Sequence, residues 1–194
     1  MISKLLKALR VYLTSMVLPD SLTHTGKHAF FRCSSLTSVV MPDSLTELGV
    51  GTFNECTSLT SVIIPDNLTQ LGERAFNEST SLTSVVLPDS FTEIRKWAFG
   101  GCTSLTSVVM PDGAELGDGV FDDCDAMERI TALAGFDSVE PYIRDRFRRI
   151  TLRKLVLRLL GKYNQAVNDA DGTEAEKHAS ALALSLLTTL VRSR

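Results

Sequence analysis

Proline stands at residues 19, 42, 65, 88 and 111, a spacing of 23 each time. The copying behind it is nearly literal: residues 35–57 read SLTSVVMPDSLTELGVGTFNECT and residues 58–80 read SLTSVIIPDNLTQLGERAFNEST. Self-similarity at a fixed period of this length signals a solenoid or array, in which each unit packs only on its neighbours. Most other folds are excluded before any local propensity is weighed. Counted from the leucine, the units cover residues 13–35, 36–58, 59–81 and 82–104, followed by a 22-residue unit at 105–126. A sixth begins at Met127 and loses the pattern.

In the unit at 59–81 the recurring apolar positions are Leu59, Val62, Ile64, Leu68, Leu71, Ala75 and Phe76. LTSVII is β-branched and ends at Pro65, which cannot donate a ladder hydrogen bond, so a turn follows with Asp66 and Asn67. LTQLG predicts a second short extended piece closed by Gly72. ERAFNEST carries helix formers and predicts a single helical turn that returns the chain to the next leucine. One coil buries too little apolar surface to offset the ordering of its backbone, so neighbours must cover both of its open faces.

Leu36, Val39, Met41, Pro42, Leu45, Leu48, Gly49, Phe53 and Cys56 fill in order the consensus of the BspA-like leucine-rich repeats, which the chain resembles over residues 13 to about 130. The departures are Thr25 for the second-strand aliphatic, Arg95 for the glycine, Ser79 for the cysteine, and the deletion after Pro111. The resemblance implies an α/β fold, a short horseshoe solenoid with a parallel β-sheet on its concave face. It also implies a module that binds a protein partner rather than one that catalyses.

Outside the repeat, residues 1–12 are expected to form an N-terminal capping helix and residues 131–194 a helical C-terminal cap. EPYIRDRFRRITLRKLVLRLLGKY has apolar residues at helical spacing, and a second helix is expected after NDADG, with Thr173 and Glu176 as its capping box. The two are expected to pair as a hairpin over the last coil. NDADG resembles a calcium loop but lacks the later ligands, and reads as a linker.

Charge is unevenly shared. Residues 1–130 hold nine Lys+Arg against sixteen Asp+Glu, and residues 131–194 hold eleven against seven, together the 20 and 23 of a chain with net charge −3. Eight basic residues lie between Arg144 and Lys162. They read first as solvated positions on a cap. Binding to acidic protein, nucleic acid or an anionic membrane surface are the competing readings. Lys7 and Arg10 interrupt the apolar stretch that a secretory signal would need, and unpaired thiols fit a cytoplasmic setting.

Cys33, Cys56 and Cys102 share one repeat position, taken by Ser79 in one unit, with Cys124 one residue early. A ladder of this kind predicts free buried thiols. No nucleophile motif, phosphate-cradling loop or metal-ligand cluster is evident, and His24 and His28 read as surface residues. Asp20, Asp43, Asp66, Asp89 and Asp112, each after a proline, read as turn residues. Neither an enzyme nor a cofactor nor a small-molecule substrate is expected.

If Leu36, Val39 and Met41 face the core, strand alternation puts Ser38 and Val40 outside, giving files Ser38, Ser61, Ser84, Ser107 and Val40, Ile63, Val86, Val109 on the concave side. An exposed β-branched strip of that sort is usually a contact site. Arg95, Lys96 and Trp97, the only tryptophan, interrupt the uniformity and are candidate anchors, as is Phe31. The expected function is a protein-interaction module binding through these residues. The alternative is a structural, self-associating solenoid or a fragment of a longer array.

Overall fold

The computed structural model describes residues 10–168, with side chains to residue 158 apart from Val156. The fold is a parallel-strand solenoid followed by helices. Its strands are β1 (Ser15–Val17), β2 (Ser38–Val40), β3 (Glu47–Leu48), β4 (Gln70–Leu71), β5 (Ser84–Val86), β6 (Glu93–Ile94), β7 (Ser107–Val109) and β8 (Glu115–Leu116). The helices are α1 (Asp125–Leu133) and α2 (Val139–Asn168). Residues 10–144 form one unit, and residues 145–168 belong to a second that contains the rest of α2. The helix expected over 173–191, and with it the hairpin, lies outside the described residues, as do the first nine residues of the capping helix.

Each coil contributes two strand files. The second, from the LTQLG position, makes the longer ladder: β3, β4, β6 and β8 pair side by side, all parallel, with Glu47 opposite Gln70 and Gln70 opposite Glu93. The first, from the SVV position, is divided into the pairs β1–β2 and β5–β7, with a single bridge from Ser61 to Ser84. Threonine hydrogen bonds nevertheless link these coils throughout. The backbone N–H and hydroxyl of Thr37 both donate to Thr14 O, and Thr60, Thr83 and Thr106 repeat the arrangement on the coil before each.

The proline turns close as expected, but through the backbone. Leu22, Leu45, Leu68, Phe91 and Ala114 each donate an N–H to the carbonyl of the proline three residues earlier. The helical turn expected over ERAFNEST is instead a run of short turns, with Ala75 N bonded to Gly72 O, Asn77 N to Arg74 O and Ser79 N to Phe76 O. The reason is two residues per coil in the left-handed region: His28, Gly51, Arg74, Trp97 and Gly119 in one file, and Arg32, Glu55, Glu78, Gly101 and Asp123 in the other, all with φ between 54° and 71°. A right-handed helix cannot pass through such residues.

The core is a stack of identical layers. Phe30, Phe53, Phe76, Phe99 and Phe121 lie face over face, with ring centroids 5.3, 5.4, 5.5 and 5.8 Å apart in succession. Beside them runs the cysteine position. Cys56 Sγ donates to Phe30 O, Cys102 Sγ to Phe76 O and Cys124 Sγ to Phe99 O, each at 3.2 Å. Ser79 Oγ makes the same bond to Phe53 O at 3.0 Å, so the serine departs from the consensus in name while keeping the contact.

The other departures are equally local. Thr25 is buried, but its Oγ1 lies 2.7 Å from Thr52 Oγ1 and accepts the Gly49 N–H at 2.9 Å, so no polar atom is stranded there. The deletion falls between Ala114 and Glu115: β7 pairs 23 residues back, while β8 pairs Glu115 with Glu93, 22 back. Glu115 N then donates to Thr92 O, a role that threonine fills in the earlier coils.

Arg95 occupies a file of glycines that approach the preceding coil closely. A Cβ on Gly72 would lie 2.6 Å from Leu48 O and 2.7 Å from Gly49 C, both backbone atoms. At Arg95, which carries that Cβ, the hydrogen bond from its N to Leu71 O is 3.1 Å, against 2.8 Å for Gly72 N to Leu48 O. The coils open by a few tenths of an ångström to admit it. Gly72→Ala is therefore expected to force the same opening where nothing has adapted to it, at a cost of about 1–3 kcal/mol in chemical denaturation.

Candidate functional site

The SVV strands place their outer residues in one file. Val17, Val40, Ile63 and Val86 are 74%, 58%, 82% and 61% exposed, while the intervening Met16, Val39, Val62 and Val85 point inward. Pairing register aligns Val17 with Val40 and Val86 with Val109, so the exposed methyls come from successive coils. Ser38, Ser61 and Ser84 are exposed beside them, and Ser107 and Val109 are half-buried. The neighbouring threonine hydroxyls already serve the solenoid, as their bonds to the previous coil show. What this face offers a partner is therefore branched aliphatic surface edged by small hydroxyls. Such a surface gains on being covered and carries no charge to compensate.

Lys96 and Trp97 lie together, and Arg95 points elsewhere. Arg95 turns to the second strand file, where Nε lies 3.3 Å from Glu93 Oε1 and Nη2 lies 3.2 Å from Gln70 Oε1. Trp97 sits on the left-handed turn, a different segment of the coil from the SVV strand. Its indole covers Gly119, where a Cβ would fall 2.2 Å from the ring. The Arg74 guanidinium lies 4.3 Å from the indole centroid and the Lys96 ammonium 4.9 Å. Trp97 also lines a hollow of about 290 Å³ with Arg74, Asn77, Glu78, Asp122 and Asp123. Phe31 is half-buried, packed edge-on against His28 and under the Arg32 guanidinium.

The two left-handed files were missed in the sequence. Their signal was an intermittent glycine, Gly51 and Gly119 in one column and Gly101 in the other, among residues that otherwise carry side chains. Those columns matter because they determine where His28, Arg74 and Trp97 stand.

Cys33, Cys56, Cys102 and Cys124 are free and buried. Burial pushes the Cys56 and Cys124 thiols up to about 12 from the ordinary 9.0, and Cys102 upward as well. Cys33 is raised by the same desolvation, opposed by the charge of Arg10. Buried neutral thiols are packing groups, not nucleophiles. Among the described residues no three of His, Cys, Asp and Glu gather so as to hold a metal ion, and His24 and His28 are exposed.

In the basic segment, Arg144 is committed to the fold. It pairs with Glu140 at 2.8 Å and donates to the backbone carbonyls of Asp112 and Ala114. Arg149 pairs with Asp145 at 2.7 Å. No helix among the described residues is long and apolar enough to cross a membrane.

The repeated coil matches a known family model. Residues 9–143 align with six copies of the BspA type leucine rich repeat region. The chain belongs to the BspA-type leucine-rich repeat family. Three solved structures place these BspA-type repeats in context. A leucine-rich repeat protein from T. pallidum is 28% identical with a TM-score of 0.50, over 66% of this chain and 72% of that one. One from Bacteroides ovatus is 32% identical with a TM-score of 0.56, over 60% of this chain and 30% of its own. A leucine-rich cell surface protein from Faecalibacterium prausnitzii matches at 32% and 0.56, over 58% and 30%. The chain thus spans under a third of the second and third of these. No curated protein matches it. The BspA-type repeat is generally a noncatalytic fold that serves as an interaction or structural module.

Proposed function

We propose that this BspA-type chain is a noncatalytic interaction module that holds a protein partner against its SVV strand face. The observation that carries the reading is the file Val17, Val40, Ile63 and Val86, solvent-exposed on successive coils of a rigid stack. Isolated exposed valines are ordinary, but an aligned file of them is surface that association would cover. Ser38, Ser61, Ser84 and the half-buried Ser107 and Val109 frame the patch, and Trp97 with Lys96 is a separate contact on another segment of the coil.

Affinity capture from native lysate tests the reading. Ile63→Asp leaves the buried layer untouched and puts a charge into the middle of the strip, so captured protein is expected to fall at least about tenfold. An unchanged set and yield of captured protein would remove the strand face from consideration. Light scattering on the purified chain addresses the second reading, self-association. Assembly that grows with concentration and is abolished by Ile63→Asp would make a second copy the occupant.

The four unpaired thiols support a cytoplasmic setting, where reduced cysteine persists. The F. prausnitzii relative is described as a cell surface protein, and fractionation of native cells decides between the two for this chain.

A further inference from the structure

The SVV ladder is interrupted at the coil 59–81. Leu18 N donates to Val40 O at 3.0 Å and Leu87 N to Val109 O at 2.8 Å, closing the ends of the pairs β1–β2 and β5–β7. Met41 and Ile64 hold the same repeat position as Leu18 and Leu87, yet neither N–H makes the corresponding bond. No ladder pair joins this coil to β2, and the Ser61–Ser84 bridge alone pairs it with β5.

The loosening is graded, and it is confined to one side of the coil. From the threonine N–H to the carbonyl of the previous coil the distance is 2.8 Å at Thr37, 3.3 Å at Thr60, 3.2 Å at Thr83 and 2.9 Å at Thr106. The hydroxyl bonds of the same threonines follow it, at 2.8, 3.4, 3.2 and 3.1 Å. The inward side chains register the gap as well: Met41, Val62 and Ile64 are 8%, 8% and 7% exposed, against 1% and 2% for Val85 and Leu87. On the turn side the coils 36–58 and 59–81 are tight, with Gly51 N to Glu73 O, Phe53 N to Ala75 O and Glu55 N to Asn77 O each at 2.8 Å. The coil is fastened along one edge and loose along the other.

The sequence supplies a cause. The residue before the proline is Leu18, Met41, Leu87 or Met110 in the other coils and Ile64 here. A residue before proline is held extended, and isoleucine adds a branch at Cβ with one stiff rotamer. Leucine and methionine carry their bulk farther from the backbone, whereas Ile64 holds it beside the coils on either side.

We propose that residues 61–64 are a hinge in the strand face, open in the free chain and closed into the ladder when a partner covers Val40, Ile63 and Val86. The role in binding rests on the strand-face reading above, and the hinge itself does not. Closure brings the three side chains to ladder spacing, about 4.8 Å, and lets Met41 and Ile64 make the missing bonds. A partner that touches all three therefore binds the closed form more tightly, which is what shifts the equilibrium.

Amide exchange of the purified chain, followed residue by residue by NMR, tests the hinge without a partner. The Met41 and Ile64 amides are expected to exchange about a hundredfold or more faster than those of Phe53 and Leu87, because local opening exposes them while the stack stays folded. Ile64→Leu and Ile64→Met, which install the residues of the other coils, are expected to slow exchange at Met41 and at residue 64 about tenfold or more and to leave Phe53 unchanged. Exchange at Met41 and Ile64 as slow as at Leu87, or rates indifferent to both substitutions, would overturn the proposal.

Capture from native lysate then reads the coupling to binding. A face already closed loses less of its affinity to the open form, so Ile64→Leu is expected to raise the yield of the protein captured by the unaltered chain severalfold. A yield unaltered by Ile64→Leu, with exchange slowed, would overturn closure on binding and leave the strand-face reading in place. Capture indifferent to Ile63→Asp would remove the strand-face reading and the role in binding with it, while the exchange rates still decide the hinge.

Discussion

Phe76→Ala is expected to destabilise the chain by about 3–5 kcal/mol and to split its unfolding into two steps. Phe76 is the middle ring of the stack, fully buried, with Phe53 and Phe99 on its two faces at 5.4 and 5.5 Å. Truncation removes its transfer free energy, leaves a cavity, and takes away both stacking contacts, each worth about 0.5–1.5 kcal/mol beyond area. In a quasi-one-dimensional array the coupling between halves passes through the middle coil, so its loss uncouples them. Phe121, with one stacking neighbour at 5.8 Å, is expected to cost less on the same change. Denaturation followed by far-ultraviolet circular dichroism and by Trp97 emission checks this. Equal costs for the two variants, or a single unaltered transition in Phe76→Ala, would show that the stack does not carry the coupling.

The thiols give the second large effect. At pH 8 a thiol moved from 9.0 to about 12 holds about a thousandfold less thiolate, so Cys56 and Cys124 in the folded chain should be alkylated about a thousandfold more slowly than in the unfolded one. Burial adds to the protection. The same shift makes stability depend on pH, with a definite sign. The unfolded chain ionises its thiols near 9 while the folded chain keeps them protonated, so stability is complete below pH 9. It drains away as pH climbs toward 12, by up to about 1.4 kcal/mol per pH unit per shifted thiol. Iodoacetamide labelling with mass readout, with and without denaturant, measures the first effect, and denaturation midpoints at pH 7 and pH 10 measure the second. Fast native labelling at pH 8 would mean that the cysteine ladder opens locally.

Much of this architecture could be read from the repeat, because each buried position is printed several times. Leu36, Leu59, Leu82 and Leu105 are all fully buried, and so are Phe53, Phe76 and Phe99. Repetition averages out the ambiguity that a single short apolar run would leave. Three features escaped. The helical turn was read from propensity in ERAFNEST, but Arg74 and Glu78 take left-handed conformations that propensity does not encode. The longer ladder proved to be Glu47–Leu48 and its counterparts, because two-residue strands carry too little pattern to rank above the β-branched SVV segments. Arg95 and Trp97 looked like one anchor because they are two residues apart, yet a positive φ at Trp97 sends their side chains to different neighbours. The exposure of Val40, Ile63 and Val86 was legible from strand alternation.

One residue is missing between Ala114 and Glu115, yet the strands before and after that point keep their partners. The corner after the proline turn therefore behaves as a slip joint, where chain length can change by one without misaligning the ladders on either side. In a stack whose coils touch only their neighbours, a change in the length of one coil is felt only at the corner where it occurs. A coil with one forgiving corner lets imperfect junctions fold, so the number of coils can change while the pattern of each survives.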